Sequence, residues 1–481
     1  MKILTLLLLF ISITALASLD EPPTIRKIFA GNAHWSSNNN RIGRTQRTAK
    51  GAQPRKIYVA KRADNLHGSG TEIDPLNAGN DLHAIWSQVL AANPRVVEFA
   101  KATYVTTDVL APISNCDIRG NGATIQAAAS FGVTNRHKWI FQIGGDGFNG
   151  VNYCHIHGFT FDCNMDGQIA ANPVIGAIGI QGGRNLISHN RFIHFGDRSD
   201  RNIECFVAAI AANTAQPAYD NEIAHNEFTS DATSTGSVTI VMITSDQTTV
   251  DDFASPTTKW EHGGRIHHNW FHDLERVQCI GSGAWSVGQQ IYDNTFRHID
   301  GVCIYTDTGA SHNLTIRNNR MEDVKQGILL RPTLGPSFFQ ENLTIAGNEI
   351  AVKSDLGGAT GFNTTGITLG TGSAPHAVVF RNLTVRANRI RRYASTGTPL
   401  VGICITDVDG GIIKNNWVAR EVGESDRNVI GIFYSKDVLV RNNTSRTVVG
   451  GDGNSSVRLI DNLNLADTRQ DRSGQPDATP H

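Results

Sequence analysis

One short pattern, repeated along most of the chain, leaves few folds open. It reads apolar-x-x-Asn-x-apolar and appears as ISHNRF (187–192), IAHNEF (223–228), IHHNWF (266–271), IYDNTF (291–296), IRNNRM (316–321), IAGNEI (345–350), VRANRI (385–390) and IKNNWV (413–418). VRNNTS (440–445) is a degenerate ninth copy. The repeated asparagines, Asn190, Asn226, Asn269, Asn294, Asn319, Asn348, Asn388, Asn416 and Asn443, are spaced by 36, 43, 25, 25, 29, 40, 28 and 27 residues. A base period of 25–28 residues with occasional longer intervals describes one supersecondary unit stacked many times, with loops inserted in some copies.

Each unit also carries a second apolar-alternating segment: GAIGIQG (176–182), VQCIGSG (277–283), GVCIYTD (301–307), QGILLRP (326–332), TGITLGT (365–371), VGICITD (401–407) and IGIFYSK (430–436). Alternation of this kind marks strands with one face inward. Strands of three to five residues without helices between them cannot form a doubly wound sheet. Leucine-rich repeats need a Leu lattice that is absent, and propeller blades need longer hairpins. The pattern predicts an all-β, right-handed parallel β-helix of about ten coils, with the Asn side chains stacked into a ladder.

An open coil exposes strand edges that need covering. In DLHAIWSQVLAANP (81–94), Leu82, Ile85, Trp86, Val89 and Leu90 share one face of a helix stopped by Pro94. This segment is the expected N-terminal capping helix, with Val96-Val97-Glu98-Phe99 as the first strand of the coil.

The ends read differently. Residues 1–17 have the form of a signal peptide: Lys2, an apolar run from Ile3, and the small-x-small site Ala15-Leu16-Ala17. The run is short for a membrane span, so the expectation is export, to the periplasm or outside the cell, with no transmembrane segment after cleavage. Residues 18–55 read as a basic polar tether, 56–463 as the β-helix domain and 464–481 as a disordered tail. With 43 basic against 44 acidic residues, the chain lacks the charge excess of a nucleic-acid binder. Seven cysteines without a C-x-x-C pair favour buried free thiols over a metal or redox site.

The opening KIYVAKRADNLHGSGTEIDPLNAGNDLHAIWSQVLAANPRVVEFAKATYV (56–105), with CDIRGNGATI (116–125) and CHIHGFTFDCN (154–164), resembles the pectate-lyase-like superfamily of secreted parallel β-helix proteins. The resemblance covers roughly residues 56–463 and implies the fold. The fold hosts lyases, hydrolases, epimerases and non-catalytic spikes, so it does not imply one chemistry. The Arg-x-Pro-x-x-Arg of pectate lyases, the NTD, GHG and RIK set of polygalacturonases and the Asp-Pro-His of mannuronan epimerases are absent. DGVCIYTDTG (300–309) resembles a D-G-x-x-I-Y segment of some β-helix glycosidases. What the resemblance implies is a location: a groove along the outer face of the G-I-x-I strand, walled by the turns beside it.

On that face the alternation turns Cys303, Tyr305 and Asp307 outward in one coil and Leu329 and Arg331 in the next. The turns entering these strands supply His194, Asp273, His298, Asp300, Asp323 and Lys325; Asp246, Asp307 and Asp407 stand at the far strand ends. Neighbouring coils lie about 4.8 Å apart, so such residues can reach one sugar. β-Elimination of a uronate needs a base and a cation, roles open to Lys325, Arg331, Tyr305 and His298. Hydrolysis needs two carboxyl groups, available from Asp307 with Asp246, Asp273 or Asp300. The expected function is a polysaccharide lyase on an acidic glycan. The alternatives are a glycoside hydrolase and a non-catalytic carbohydrate-binding or surface protein. Plainer roles compete: Asp300 and Asp323 as turn caps, Arg331 as an edge charge, and His189, His225 and His268 as turn residues before the repeated Asn. His267, His268 and His272 carry no zinc spacing. Calcium would suit aspartates clustered between coils, though no acidic loop motif fixes a site.

Overall fold

The repeated Asn works because of the residue before it. In the computed structural model, that residue has a left-handed backbone at every rung: His189, His225, His268, Asp293, Asn318, Gly347, Ala387, Asn415, Asn442 and Asp461 have φ between 50° and 66°. Such a residue turns the chain sharply, a conformation that Asn, Asp, His and Gly tolerate best. The turn role expected for His189, His225 and His268 is therefore observed.

The structure describes residues 55–464 apart from 135–136, 145–149, 199–204, 213–217, 234–237, 246–260, 283–285, 307–310, 332–339, 354–364, 371–379, 393–400, 419–428, 446 and 451–452. The signal peptide, nearly all of the tether and the tail beyond Asn464 lie outside the described residues. The described chain forms two compact units, one ending at Trp270 and one beginning at Phe271.

Both units are built of parallel strand stacks, the arrangement of a right-handed β-helix. In the first unit one stack contains Lys56–Ala60, Val96–Phe99, Asp117–Ala127, His155–Asp162, Leu186–Ser188, Glu222–Ala224 and Arg265–His267. Its register aligns Ile57, Val97, Ile118, Ile156, Ile187, Ile223 and Ile266 in one inward column. The matching column of the second unit is Ile291, Ile316, Ile345, Val385, Ile413, Val440 and Leu459. All of these are buried except Leu459, on the last rung described. Each such burial is worth about 1.5–3 kcal/mol. These stacks hold more coils than the Asn count implies, because the strands from Lys56 to Asp162 stack without a ladder Asn. Val96–Phe99 is likewise not the first strand, since Lys56–Ala60 precedes it and pairs with it.

The Asn ladder runs Asn190, Asn226, Asn269 in the first unit. In the second it runs Asn294, Asn319, Asn348, Asn388, Asn416, Asn443 and Asn462. Each Nδ2 donates to the next Oδ1, and most also donate to a backbone carbonyl, as Asn348 does to Ile316 at 3.1 Å. Asn462 is a rung the sequence pattern missed: it follows Asn443 by only 19 residues, and Asn464 stands where the pattern has an apolar residue. Two residues past the ladder, Phe192 and Phe228 stack at 4.6 Å, and Phe161 continues the stack on the preceding coil at 5.2 Å.

The capping helix is Leu82–Ala91, with Leu82, Ile85, Trp86 and Val89 buried. Asp81 caps it by accepting from the His83 N–H at 3.0 Å and also accepts from the Thr107 N–H at 3.1 Å. No helix among the described residues is long and apolar enough to cross a membrane. Several strands exceed the expected three to five residues. Trp270–Ser282 has 13 and Thr295–Thr306 has 12, because pairing continues through left-handed residues such as Asp273 and His298. Cys116, Cys154, Cys163, Cys279, Cys303 and Cys404 are free thiols, as expected.

Burial also sets an acid limit on the first unit. His137 packs 4.1 Å from the Trp139 ring and accepts from the Phe206 N–H at 3.2 Å. Burial pushes its pKa down to about 4. The neutral ring therefore stabilises the fold fully above pH 6.5, and that stability is lost as pH falls through 4. Over that window the wild type should lose about 1–2 kcal/mol more than His137→Gln, read by denaturant unfolding at each pH. Equal losses would show that the ring titrates without strain.

Candidate functional site

Four residues after Asn269, Asn294 and Asn319 the chain again turns left-handed, at Asp273, His298 and Asp323 (φ 54°, 52° and 59°). The turn brings these side chains into one column of the second unit. His298 Nδ1 lies 2.9 Å from Asp273 Oδ1, and its Nε2 lies 3.0 Å from Asp323 Oδ2. Lys353 Nζ stands 3.5 Å from Asp323 Oδ1. The His272 ring, 2.7 Å from Asp273 Oδ2, is the main cause holding the Asp273 carboxyl below its ordinary range, and His298 adds to it. Asp273 is mostly exposed and Asp323 mostly covered. The first unit has a similar group at the same offset: His194 (φ 51°) lies 2.9 Å from Asp162 and 3.5 Å from Asp231.

Farther along the strand, Lys325 Nζ and Asp300 Oδ1 form a buried ion pair at 3.2 Å. Both residues are under 10% exposed, at 7% and 6%. A closed pair of this kind holds its two charges on each other. At the strand end, Arg331 donates from Nε and Nη2 to Tyr305 Oη at 3.3 and 3.1 Å. Tyr305 does not offer the open ring expected of an outward residue. It is 5% exposed and packs with Val302 and Leu329, while Cys303 is fully buried. The apolar side chains on that face cover it, leaving the hydroxyl with Arg331 as its polar feature.

The structure therefore joins Asp273 with His298, Asp300 with Lys325, and Tyr305 with Arg331. His298 and Tyr305 belong to the same strand, Thr295–Thr306, seven residues apart. A straight strand of that length spans roughly 20 Å at most, and the left-handed turn at His298 and the register shift between Ile299 and Val302 shorten it. Asp246 and Asp307 lie outside the described residues.

Sequence reasoning missed a charged row near the start of the same strands. The outward positions one and three residues past the ladder Asn carry Arg320 and Glu322, then Glu349, then Arg389 and Arg391. These side chains line a shallow groove, and Arg389 lies 4.6 Å over the Trp417 ring. The signal was present in the repeat, because the first residue after each Asn must face out.

No family model matches the sequence, and no curated protein does. Among solved structures the fold is similar to that of PfbA, a surface adhesin of Streptococcus pneumoniae (TM-score 0.52, 14% identity, 79% of this chain and 84% of that one). A second structure of PfbA gives a TM-score of 0.51 at 13% identity, over 79% of this chain and 93% of that one. A tailspike protein of E. coli bacteriophage HK620, solved with a hexasaccharide, gives 0.51 at 10% identity, over 81% of this chain and 78% of that one. At these identities the likeness is one of fold: this chain has the parallel β-helix architecture of those proteins.

Proposed function

We propose that the protein is a secreted enzyme that cleaves an acidic, uronate-containing polysaccharide by β-elimination. The observation that carries this reading is the guanidinium of Arg331 donating twice to Tyr305 Oη. Hydrogen bonds to a phenolic oxygen stabilise negative charge on it. Tyr305 is then the base that takes the proton from the carbon beside the uronate carboxylate. Arg331 is the cation that offsets charge building on that carboxylate. The electron pair of the broken C–H bond forms the double bond. The glycosidic C–O bond breaks, and the departing oxygen takes up a proton. The column of Asp273, His298 and Asp323, toward the start of the strand, serves as a subsite for another sugar. The resemblance to pectate-lyase-like proteins and the hexasaccharide held by the HK620 tailspike both support a glycan substrate.

A hydrolase reading would draw on Asp273 and Asp323, which flank His298. Hydrolysis needs one protonated and one ionised carboxyl, and Asp273, held below its ordinary range, would be the ionised one. A non-catalytic reading follows PfbA, a surface adhesin.

The test is an assay over a panel of uronate-containing and neutral glycans, following both ultraviolet absorbance and new reducing ends. Absorbance rising with reducing ends is expected. Tyr305→Phe keeps the packing with Val302 and Leu329, and with Arg331→Ala it should lower turnover at least ~100-fold. Reducing ends without absorbance would establish a hydrolase, and binding without either signal an adhesin. Near-normal rates in both variants would remove Tyr305 and Arg331 from the chemistry.

A further inference from the structure

The first unit carries a histidine cluster that plays no part in the chemistry above. His189, His225 and His268 each precede a ladder Asn, so each is held in the left-handed turn at its rung. Stacking the rungs stacks the rings: His189 and His225 lie 5.0 Å apart at 13°, and His225 and His268 lie 4.8 Å apart at 24°. His267, one residue earlier, adds a ring at right angles to both His225 and His268. Its column neighbour on the preceding coil is Ala224, whose methyl group leaves room beside it.

The nitrogens of this group converge. One ring nitrogen from each of His225, His267 and His268 lies within 4.8 Å of the others. His267 Nδ1 and His268 Nδ1 are 2.8 Å apart. At metal–nitrogen bonds of about 2.0–2.1 Å, neighbouring ligands stand roughly 3–3.4 Å apart. Small ring rotations of the exposed His225 and His268 close that difference, while His267 is buried and fixed.

The second observation is what lies behind His267. Its Nε2 faces Glu222 Oε1 at 2.9 Å, and Arg265 donates to Glu222 Oε2 from Nη2 at 2.7 Å. A carboxylate on the far nitrogen holds the tautomer that leaves Nδ1 as the ligand atom, which is how histidines bound to metal are usually oriented. From this geometry we infer that His225, His267 and His268 form a three-imidazole site for a late first-row divalent cation, with Glu222 positioning His267. Imidazole ligands suit zinc, copper and nickel, whereas calcium and magnesium take oxygen. The two exposed rings leave the outer side of the ion open to water or a small ligand.

A competing group, Asp117 with His155 and His157, is also compact. There the carboxylate would itself have to be a ligand while Arg119 holds it, at 2.7 Å from Nε and 2.6 Å from Nη2, whereas Glu222, paired with Arg265, stands behind the three rings and need not leave its partner. That arrangement is an ion-pair cluster with its anion neutralised, and it provides the internal control.

The experiment is titration of chelator-treated full-length protein with zinc by calorimetry and with cobalt by visible absorption. One ion per chain is expected, with cobalt bands of nitrogen coordination. His225→Asn and His268→Asn keep a residue type that already occupies this left-handed position at Asn318, Asn415 and Asn442. Each should weaken binding at least ~100-fold with the circular dichroism unchanged. Glu222→Gln should weaken it by about 10–100-fold without abolishing it. His157→Gln should leave it unaltered. Affinity weaker than about 100 µM in the wild type would overturn the assignment. So would binding that survives both His225→Asn and His268→Asn, or that is lost in His157→Gln.

Discussion

Asn348→Ala should destabilise the second unit by about 3–5 kcal/mol, one of the largest losses available from a single exchange. Asn348 is fully buried in the middle of the ladder. Its Oδ1 accepts from both N and Nδ2 of Asn319 at 3.0 Å. Its Nδ2 donates to Ile316 O at 3.1 Å and to Asn388 Oδ1 at 2.9 Å. Alanine leaves the Asn319 donors and the Ile316 carbonyl buried without these partners, and each such group costs about 1–3 kcal/mol. A second ladder gives the comparison. Asn342 donates to Asn313 at 3.0 Å and accepts from Asn382 at 3.1 Å, but on the exposed surface. There water replaces what is lost, so Asn342→Ala should cost under about 1 kcal/mol. Urea unfolding of the two variants beside the wild type checks both values. Similar small losses would mean that the buried ladder follows the stacking of the coils and does not enforce it.

Gly366→Ala should cost at least about 2–3 kcal/mol, although it adds one methyl group in a strand. The cause is contact, since Gly366 has no left-handed backbone. A Cβ there would lie 2.5 Å from the Gly402 carbonyl oxygen and 2.7 Å from Ile390 Cγ2. The same crowding recurs in the column. A Cβ on Gly327 would meet the Gly366 oxygen at 2.5 Å, and one on Gly402 would meet Val418 Cγ1 at 2.4 Å. The oxygen belongs to the next coil's backbone and cannot move without breaking the pairing of Ile367 with Ile403. Gly366→Val should be worse than alanine, and Ile390→Ala should rescue either only in part. Thermal and denaturant unfolding test the order. Alanine with wild-type stability would show that the coils can separate locally at little cost.

Both predictions concern residues whose place in the coil was readable in advance. The Asn pattern located each rung except the last, where the 19-residue step to Asn462 broke the period. The glycine of the G-I-x-I segments was visible as a letter, but its reason was not, because the atoms it avoids belong to another coil. For the candidate site the gap is wider. Spacing placed Asp273, His298 and Asp323 at equivalent turns, and the structure stacks them there. Alternation also turned Tyr305 outward, yet an outward strand face is not an open one. Val302 and Leu329 close over the ring, and a register shift between Ile299 and Val302 interrupts the simple alternation.

By itself, then, the sequence determined the coil: a turn residue, an Asn, an inward apolar column and a capping helix all follow from local backbone preference and a short period. The tertiary structure decided which side chains meet. His298 finds its two carboxylates, Lys325 its buried Asp300, Arg331 its Tyr305, and His225 its partners His267 and His268, each on a neighbouring rung. Those meetings depend on insertions of unequal length, on register between coils and on ring orientation. A pattern of letters repeats identically whether or not two imidazoles 43 residues apart point at one another.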